Sequence, residues 1–211
     1  MIKIGCLHAH YSNIEYIEET LTALEAELVH FVDPGLIYHI NWKPKYELAI
    51  KVKEQLNWIL SCQVDAIFIT CTNYIALLDE IPFQTNIPVI KIDEPFFEQI
   101  CKHDHEQLLL FTNPATVSGT MARLHQYADK KKKTINVEVS VIENSFELIM
   151  SGRKDAYNQV IMDYLDTCDN DTIISVAQLS MVEAARLSKK EIGHPLDSLE
   201  KHIVRQIAKQ V

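Results

Sequence analysis

A chain of 211 residues, 47% apolar and 23% charged, has ordinary globular composition and can bury the core of one domain or two small ones. Its formal net charge of −9 excludes a broadly basic surface, so neither nucleic acid nor an anionic membrane is expected as a partner. No apolar stretch approaches the ~20 residues a membrane helix needs.

Taken in chain order, short β-branched runs alternate with segments of helical period. Met1-Ile2-Lys3-Ile4-Gly5 leads straight into a strand over Ile2–Leu7, and no signal peptide is expected. A helix over Ile14–Ala26 follows, with apolar Ile14, Ile17, Leu21 and Leu24, then a strand at Leu28–Val32. Next come a helix at Tyr46–Leu60, a strand at Val64–Thr70, a short helix at Thr72–Leu78 and a strand at Ile87–Ile92. The second half repeats the order: strand Leu108–Thr112, helix Thr116–Tyr127, strand Val137–Ile142, helix Asp155–Thr167, strand Thr172–Ala177 and helix Leu179–Ser188. A closing helix is expected near Asp197–Gln210. Lys130–Lys133 reads as a solvated turn between helix and strand.

The halves share a register. Adding 107 takes Ile4 to Phe111, Cys71 to Gln178, Asn73 to Ser180 and Pro88 to Pro195. The repeat predicts an α/β protein of two pseudo-symmetric, flavodoxin-like halves, 1–95 and 96–195, with mostly parallel sheets facing a central cleft. The C-terminal helix, within 196–211, is expected to pack on the first half.

In such sheets ligands bind beyond the carboxyl ends of the strands, where helix N-termini offer free N–H groups. The junctions there are His8-Ala9-His10-Tyr11-Ser12-Asn13, Thr70-Cys71-Thr72-Asn73, Thr112-Asn113-Pro114-Ala115-Thr116 and Ala177-Gln178-Leu179-Ser180. They are rich in hydroxyl and amide side chains and lack the glycine spacing of nucleotide-binding loops, so a small carboxylate is the expected ligand. A thiol at the start of a helix is favoured as thiolate, which makes Cys71 a usable base or nucleophile. Position alone leaves a buried structural cysteine equally open. The other four cysteines, Cys6, Cys62, Cys101 and Cys168, are scattered with no C-x-x-C pair; they read as packing thiols in a reducing cytoplasm, without disulfides or a zinc site.

The run Ile67-Phe68-Ile69-Thr70-Cys71-Thr72-Asn73 resembles the first catalytic-cysteine motif of the aspartate/glutamate racemase superfamily. Ile4-Gly5-Cys6-Leu7-His8-Ala9, Val32-Asp33-Pro34-Gly35-Leu36 and Ala177-Gln178-Leu179-Ser180-Met181 are similar to stretches of the same superfamily. The resemblance spans nearly the whole chain. It implies carbanion chemistry next to a carboxylate, without a cofactor: racemisation, isomerisation or decarboxylation, with a cysteine on each face of the substrate. Carried over by motif, Cys71 is the first cysteine, Thr72 and Asn73 bind the carboxylate, and Thr116 and Ser180 are their counterparts. Ser12 or Asn13 closes the site from the first loop, and His8 joins the substrate-binding set.

Gln178 departs from the pattern by standing where the second cysteine is expected, and an amide has no proton to exchange at usable pH. A second base could come from His8, His10 or Glu183, although His8 and His10 also read as loop residues and Glu183 as solvated. His103-Asp104-His105-Glu106 reads as a polar linker rather than a metal site, and Tyr157 and Asn158 as helix start and surface. Two classes of function stay open: an enzyme using Cys71 on a small amino acid or dicarboxylate, and a carboxylate-binding protein that has lost catalysis. A cysteine hydrolase is a third option. No metal is expected, and the substrate and any homo-oligomeric state are left open.

Overall fold

The computed structural model describes every residue except 41, 79, 82, 210 and 211. The chain forms two compact units: Met1–Glu94 together with the segment from Leu199 onward, and Pro95–Ser198. The expected end of the last helix at Gln210 lies outside the described residues.

The first unit runs β1 (Ile2–His8), α1 (Asn13–Thr20), β2 (Ala26–Val32), α2 (Gly35–His39), α3 (Lys45–Ser61), β3 (Ala66–Ile69), α4 (Thr72–Leu78) and β4 (Val89–Lys91). Helix α5 (Asp93–Ile100) begins at its last residues and continues into the second unit. There β5 (Glu106–Phe111), α6 (Val117–Lys131), β6 (Asn136–Val141), α7 (Phe146–Met150), α8 (Lys154–Thr167), β7 (Ile173–Val176), α9 (Val182–Leu187) and β8 (Ile192–Gly193) follow. Single 3-10 turns, Pro114–Thr116 and Leu179–Met181, lead into α6 and α9. The final helix, α10 (Leu199–Ala208), returns to the first unit. The sheets have matching orders, β2-β1-β3-β4 and β6-β5-β7-β8, and every pair is parallel. The sequence anticipated this α/β duplication.

Buried parallel strands read as unbroken apolar runs because helices cover both faces. Accordingly β3, Ala66-Ile67-Phe68-Ile69, is buried at every residue. Each unit carries its own core; Tyr157, Ile161 and Leu165 of α8 pack with Leu110, Ile174 and Val176 of the second sheet. In the first unit α3 lies so close to β1 that a Cβ on Gly5 would meet Ile59 Cγ2 at 2.4 Å. Gly5→Ala is therefore expected to lower stability by about 1–3 kcal/mol through overpacking, read as a shift of the urea midpoint at unchanged slope.

Several expectations need correction. Helix α1 ends at Thr20 rather than Ala26. Thr20 and Thr22 turn their hydroxyls back onto the carbonyls of Tyr16 and Glu18, which competes with helix continuation, and Ala26 instead pairs with Ile2. Tyr157 and Asn158 are buried, not surface. Lys130–Lys133 are exposed as expected, but Lys130 and Lys131 form the last turn of α6, and Lys132 caps it in the left-handed conformation at φ 55°. The offset of 107 holds only at β3 and β7. Thr70 N–H donates to the Leu7 carbonyl and Ala177 N–H to that of Leu110, which makes Cys71 and Gln178 equivalent. At the first strand, Ile4 pairs with Ala66 and Gln107 with Ile173, separations of 62 and 66 positions, so Ile4 corresponds to Gln107 and not Phe111. Ile67 pairs with Val89 and Ile174 with Ile192, so Pro88 corresponds to Glu191 and not Pro195. Insertions and deletions of connecting segments compensate around one fixed junction. Among the described residues no helix is long and apolar enough to cross a membrane.

Candidate active site

Cys71 stands between β3 and α4, half-buried, at the helix N-cap position: its carbonyl accepts the first helical hydrogen bond, from Ile75 N–H at 3.2 Å. The helix it starts is pinned at Tyr74, whose buried hydroxyl donates to the Asp33 carbonyl at 3.1 Å. Burial, with Asp33 and Cys71 nearby, pushes that phenol above its ordinary value. Asp33 is fixed in turn, accepting from Gly35 N–H at 2.7 Å and from the Gln55 amide. The Val32–Leu36 motif is thus a brace for the segment behind Cys71. Thr72 and Asn73 open α4 half-buried, and neither side chain makes a hydrogen bond among the described residues. Their donors remain available to a ligand.

His8 ends β1 rather than following it, and is fully buried. Both ring nitrogens are engaged: Nδ1 lies 2.9 Å from Thr70 Oγ1 and Nε2 lies 2.8 Å from His30 Nδ1. His30 Nε2 reaches Glu18 Oε1 at 2.8 Å. The Glu18 carboxylate can only accept, so the order of protons follows in the neutral pair. His30 Nε2–H donates to Glu18, His8 Nε2–H donates to His30, and Thr70 Oγ1–H donates to His8 Nδ1. Asn13 Nδ2 then donates to Thr70 Oγ1 at 3.4 Å. Direct substrate contact by His8 is corrected accordingly: its side chain points into the interior and has no free nitrogen. Burial, with His30 beside it, pulls the His8 pKa down to about 4.

The sign of the resulting pH dependence is fixed. The unfolded chain, with an ordinary histidine near 6.5, binds more protons than the folded one between pH 6.5 and 4. This contribution is fully present above pH 6.5 and is lost as the pH falls toward 4. Going from pH 7 to pH 5 is expected to cost about 2 kcal/mol at this site. Urea midpoints measured in EDTA-containing buffer should show that loss, reduced in His8→Asn.

The remaining first-unit candidates are exposed or differently engaged. Backbone Ser12 N–H donates to His10 Nδ1 at 3.2 Å, so that nitrogen is an acceptor, and Ser12 Oγ also donates to it at 2.7 Å. His10 and Ser12 are exposed. A groove of about 430 Å³, bordered by Leu7, Phe31, Asp33, Gln55 and Trp58 among others, contains none of the predicted site residues.

In the second unit Gln178 occupies the position equivalent to Cys71. Its Oε1 accepts from Thr112 N–H at 2.7 Å, Thr112 Oγ1–H at 2.9 Å and Asn113 N–H at 3.0 Å. Two backbone donors fix the orientation of the amide. The oxygen ties the end of β5 to the end of β7, while Nε2 makes no hydrogen bond among the described residues. The chain of protons continues from there. Since Thr112 Oγ1 gives its proton to Gln178, it accepts from Tyr157 Oη–H at 3.0 Å, and Tyr157 in turn accepts from Ser180 Oγ–H at 2.8 Å. The Ser180 proton is committed inside the unit, and that of Thr116 goes to the Asn113 carbonyl at 2.9 Å. As folded, these two hydroxyls offer lone pairs rather than protons, unlike Thr72. Glu183 pairs with Lys154 at 2.6 Å. His103, Asp104, His105 and Glu106 are exposed.

Sequence alone places Thr112 at a junction without its role and does not reveal the roles of Tyr157, His30 and Glu18. The polar stretch Gly152–Asp155 disguised Tyr157. His30 and Glu18 become visible only through the register that sets Cys6 opposite His30.

No protein-family model matches the chain, and no curated protein matches it. Solved structures do. Aspartate racemase from Picrophilus torridus superposes with a TM-score of 0.74 at 11% identity, over 99% of this chain and 95% of that one. Glutamate racemase from Francisella tularensis, in complex with D-glutamate, gives 0.70 at 16% identity, over 99% and 81%. Allantoin racemase from Klebsiella pneumoniae gives 0.66 at 15% identity, over 100% and 89%. The chain has the two-unit fold of these racemases.

Proposed function

We propose that this chain, built on the aspartate/glutamate racemase fold, is a racemase-type enzyme acting at the carbon next to the carboxylate of a small amino acid or dicarboxylate. The observation that carries this reading is a half-buried cysteine at a strand-to-helix junction, followed by two side chains with uncommitted donors. Cys71 is the acid/base. As thiolate it takes the α-proton, and the electron pair left on carbon delocalises into the carboxylate. Thr72 and Asn73 donate to that carboxylate and stabilise the charge as it develops. Return of that proton from the Cys71 thiol to the face it left gives exchange with retention. Inversion takes a proton from solvent water at the opposite face, and the hydroxide left there is neutralised by the proton that Cys71 releases.

Gln178 is a donor and a brace in this reading, not a second acid/base. Its oxygen is consumed by Thr112 and Asn113, which leaves Nε2–H as its uncommitted donor. Ser180 and Thr116 enter as positioning residues, Ser180 through Tyr157 and Thr116 through the turn at Asn113. One acid/base group is enough for decarboxylation followed by protonation, so lyase chemistry is the second form of the same proposal. No cofactor is assigned a role in either.

A non-catalytic carboxylate-binding protein is the alternative, favoured by the loss of the second thiol. Chiral chromatography and CO₂ release, run over single enantiomers of amino acids and over malonate-type acids, separate the readings. Inversion identifies an isomerase and CO₂ a lyase. Thermal stabilisation by a carboxylate with no product, unchanged in Cys71→Ala, would leave only the binding protein.

A further inference from the structure

Cys6 and His8 are two positions apart on β1 and therefore project from the same face of the sheet. His30 on β2 is the direct register partner of Cys6 and shares that face. The three side chains bring Cys6 Sγ, a His8 nitrogen and a His30 nitrogen within 4.8 Å of one another. Among the described residues no other group of three histidine, cysteine or carboxylate side chains converges so closely. Cys6 and His8 are fully buried, while the His30 side chain keeps 15% of its exposure. That edge gives an ion a way in.

We propose that Cys6 Sγ, His8 Nε2 and His30 Nδ1 form a binding site for a borderline-soft divalent transition ion of the zinc type. Ligand chemistry selects the class: a thiolate with two imidazoles suits zinc and its neighbours, not magnesium or calcium. The surrounding hydrogen bonds make the case independently. A metal between the inner nitrogens needs both lone pairs, so each imidazole must carry its proton on the outer nitrogen. Both outer nitrogens have an acceptor waiting. His30 Nε2–H meets Glu18 Oε1 at 2.8 Å, and His8 Nδ1–H meets Thr70 Oγ1 at 2.9 Å. Thr70 can then turn its own proton to the Leu7 carbonyl, 3.2 Å away. A hydrogen-bond acceptor behind each ligating histidine is the usual outer shell of a metal site, most often a carboxylate, carbonyl or water; here a carboxylate and a hydroxyl supply it.

Without an ion, the proton on His8 Nε2 fills the 2.8 Å gap to His30. Two nitrogens on a tetrahedral zinc stand roughly 3.3 Å apart, so the pair must open by about half an ångström. The thiol swings off the Ile4 carbonyl, to which it now donates at 3.8 Å. Burial, with Glu18 nearby, pushes Cys6 up to about 12, so it is a thiol until a cation arrives. On binding, the S–H bond breaks, sulfur bonds the metal, one proton goes to solvent and the His8 proton moves from Nε2 to Nδ1. Three protein ligands leave a fourth position for water or a small ligand.

The test uses the full-length chain, freed of metal with EDTA and then titrated with zinc or cobalt(II). Expected are one tight equivalent, release of one proton, and a thiolate-to-cobalt charge-transfer band that disappears in Cys6→Ser. His30→Gln, at a partly exposed position, should weaken zinc binding by about 100-fold or more and guards against a folding defect in Cys6→Ser. Magnesium should not compete. Equal zinc binding by wild type and both variants, or a cobalt complex without the thiolate band, would overturn the site. No substrate enters the measurement, so its outcome is independent of the racemase reading.

Discussion

Cys71→Ala is expected to lower turnover on the true substrate by about 1,000-fold or more, because a positioned acid/base contributes on the order of 10²–10⁴ and no second thiol stands at the equivalent position. That is about 4 kcal/mol of transition-state stabilisation. The residue is half-buried, and its backbone carbonyl accepts the first hydrogen bond of α4 whatever the side chain, so the urea midpoint should stay close to wild type. Cys71→Ser should behave the same way, since a hydroxyl is far less acidic than a thiol. Both variants should still bind the substrate carboxylate through Thr72 and Asn73. Steady-state kinetics beside isothermal binding separates the two terms: kcat collapses while the dissociation constant moves little. A variant that loses affinity and turnover in parallel would assign Cys71 to binding.

Gln178→Ala is the substitution with the next largest effect, and it acts first on the fold. Removing Oε1 takes the acceptor from two backbone N–H groups and one hydroxyl at the end of β5. The site is half-buried, so water recovers part of the loss, and destabilisation of about 1–3 kcal/mol is expected. Gln178→Glu keeps an oxygen for the same donors and should restore the urea midpoint. Gln178→Cys, which places a thiol at both equivalent positions, should not create two-base chemistry. A thiol is a weak acceptor and cannot hold Thr112 and Asn113 as the amide does. If Gln178→Ala were as stable as wild type, the brace would not be what retains glutamine there.

The duplicated α/β plan was legible because it rests on local signals. Continuous apolar runs mark buried strands, and Cys71 falls between one such run and a helical period. The order of strands repeats, so the equivalence of Cys71 and Gln178 is accessible from sequence, although the matches of Ile4 with Phe111 and of Pro88 with Pro195 are coincidental. Short elements carried too little period to be read: α2 and α7 span five residues each and β8 only two. Helix α5 hid for another reason, since Asp93-Glu94-Pro95 looks like a loop but is a charged, proline-containing first turn.

The candidate site was half legible. Cys71, Thr72 and Asn73 are adjacent in sequence, and adjacency is what a motif records. The partners of His8 lie 62 and 22 positions away and are set by strand register. The same holds for Gln178 and Thr112, 66 apart. Sequence alone could not tell that Ser180 spends its proton on Tyr157, because Tyr157 lies on a helix whose first turn is polar. Hydroxyls that look equivalent by motif thus differ in what they can donate. Cys6 shows the limit of spacing rules for metals: no C-x-x-C or H-x-x-H exists, yet i, i+2 and a register partner converge.

Loss of the α-proton signal in D₂O, followed by proton NMR with wild type and Cys71→Ala over single enantiomers of amino acids and dicarboxylates, tests acid/base chemistry at Cys71 most directly. Wild type should exchange the α-proton of at least one carboxylate for deuterium, and Cys71→Ala should leave that signal intact. Exchange persisting in Cys71→Ala would contradict the assignment, as would a carboxylate that binds wild type while its α-proton never exchanges and no CO₂ is released.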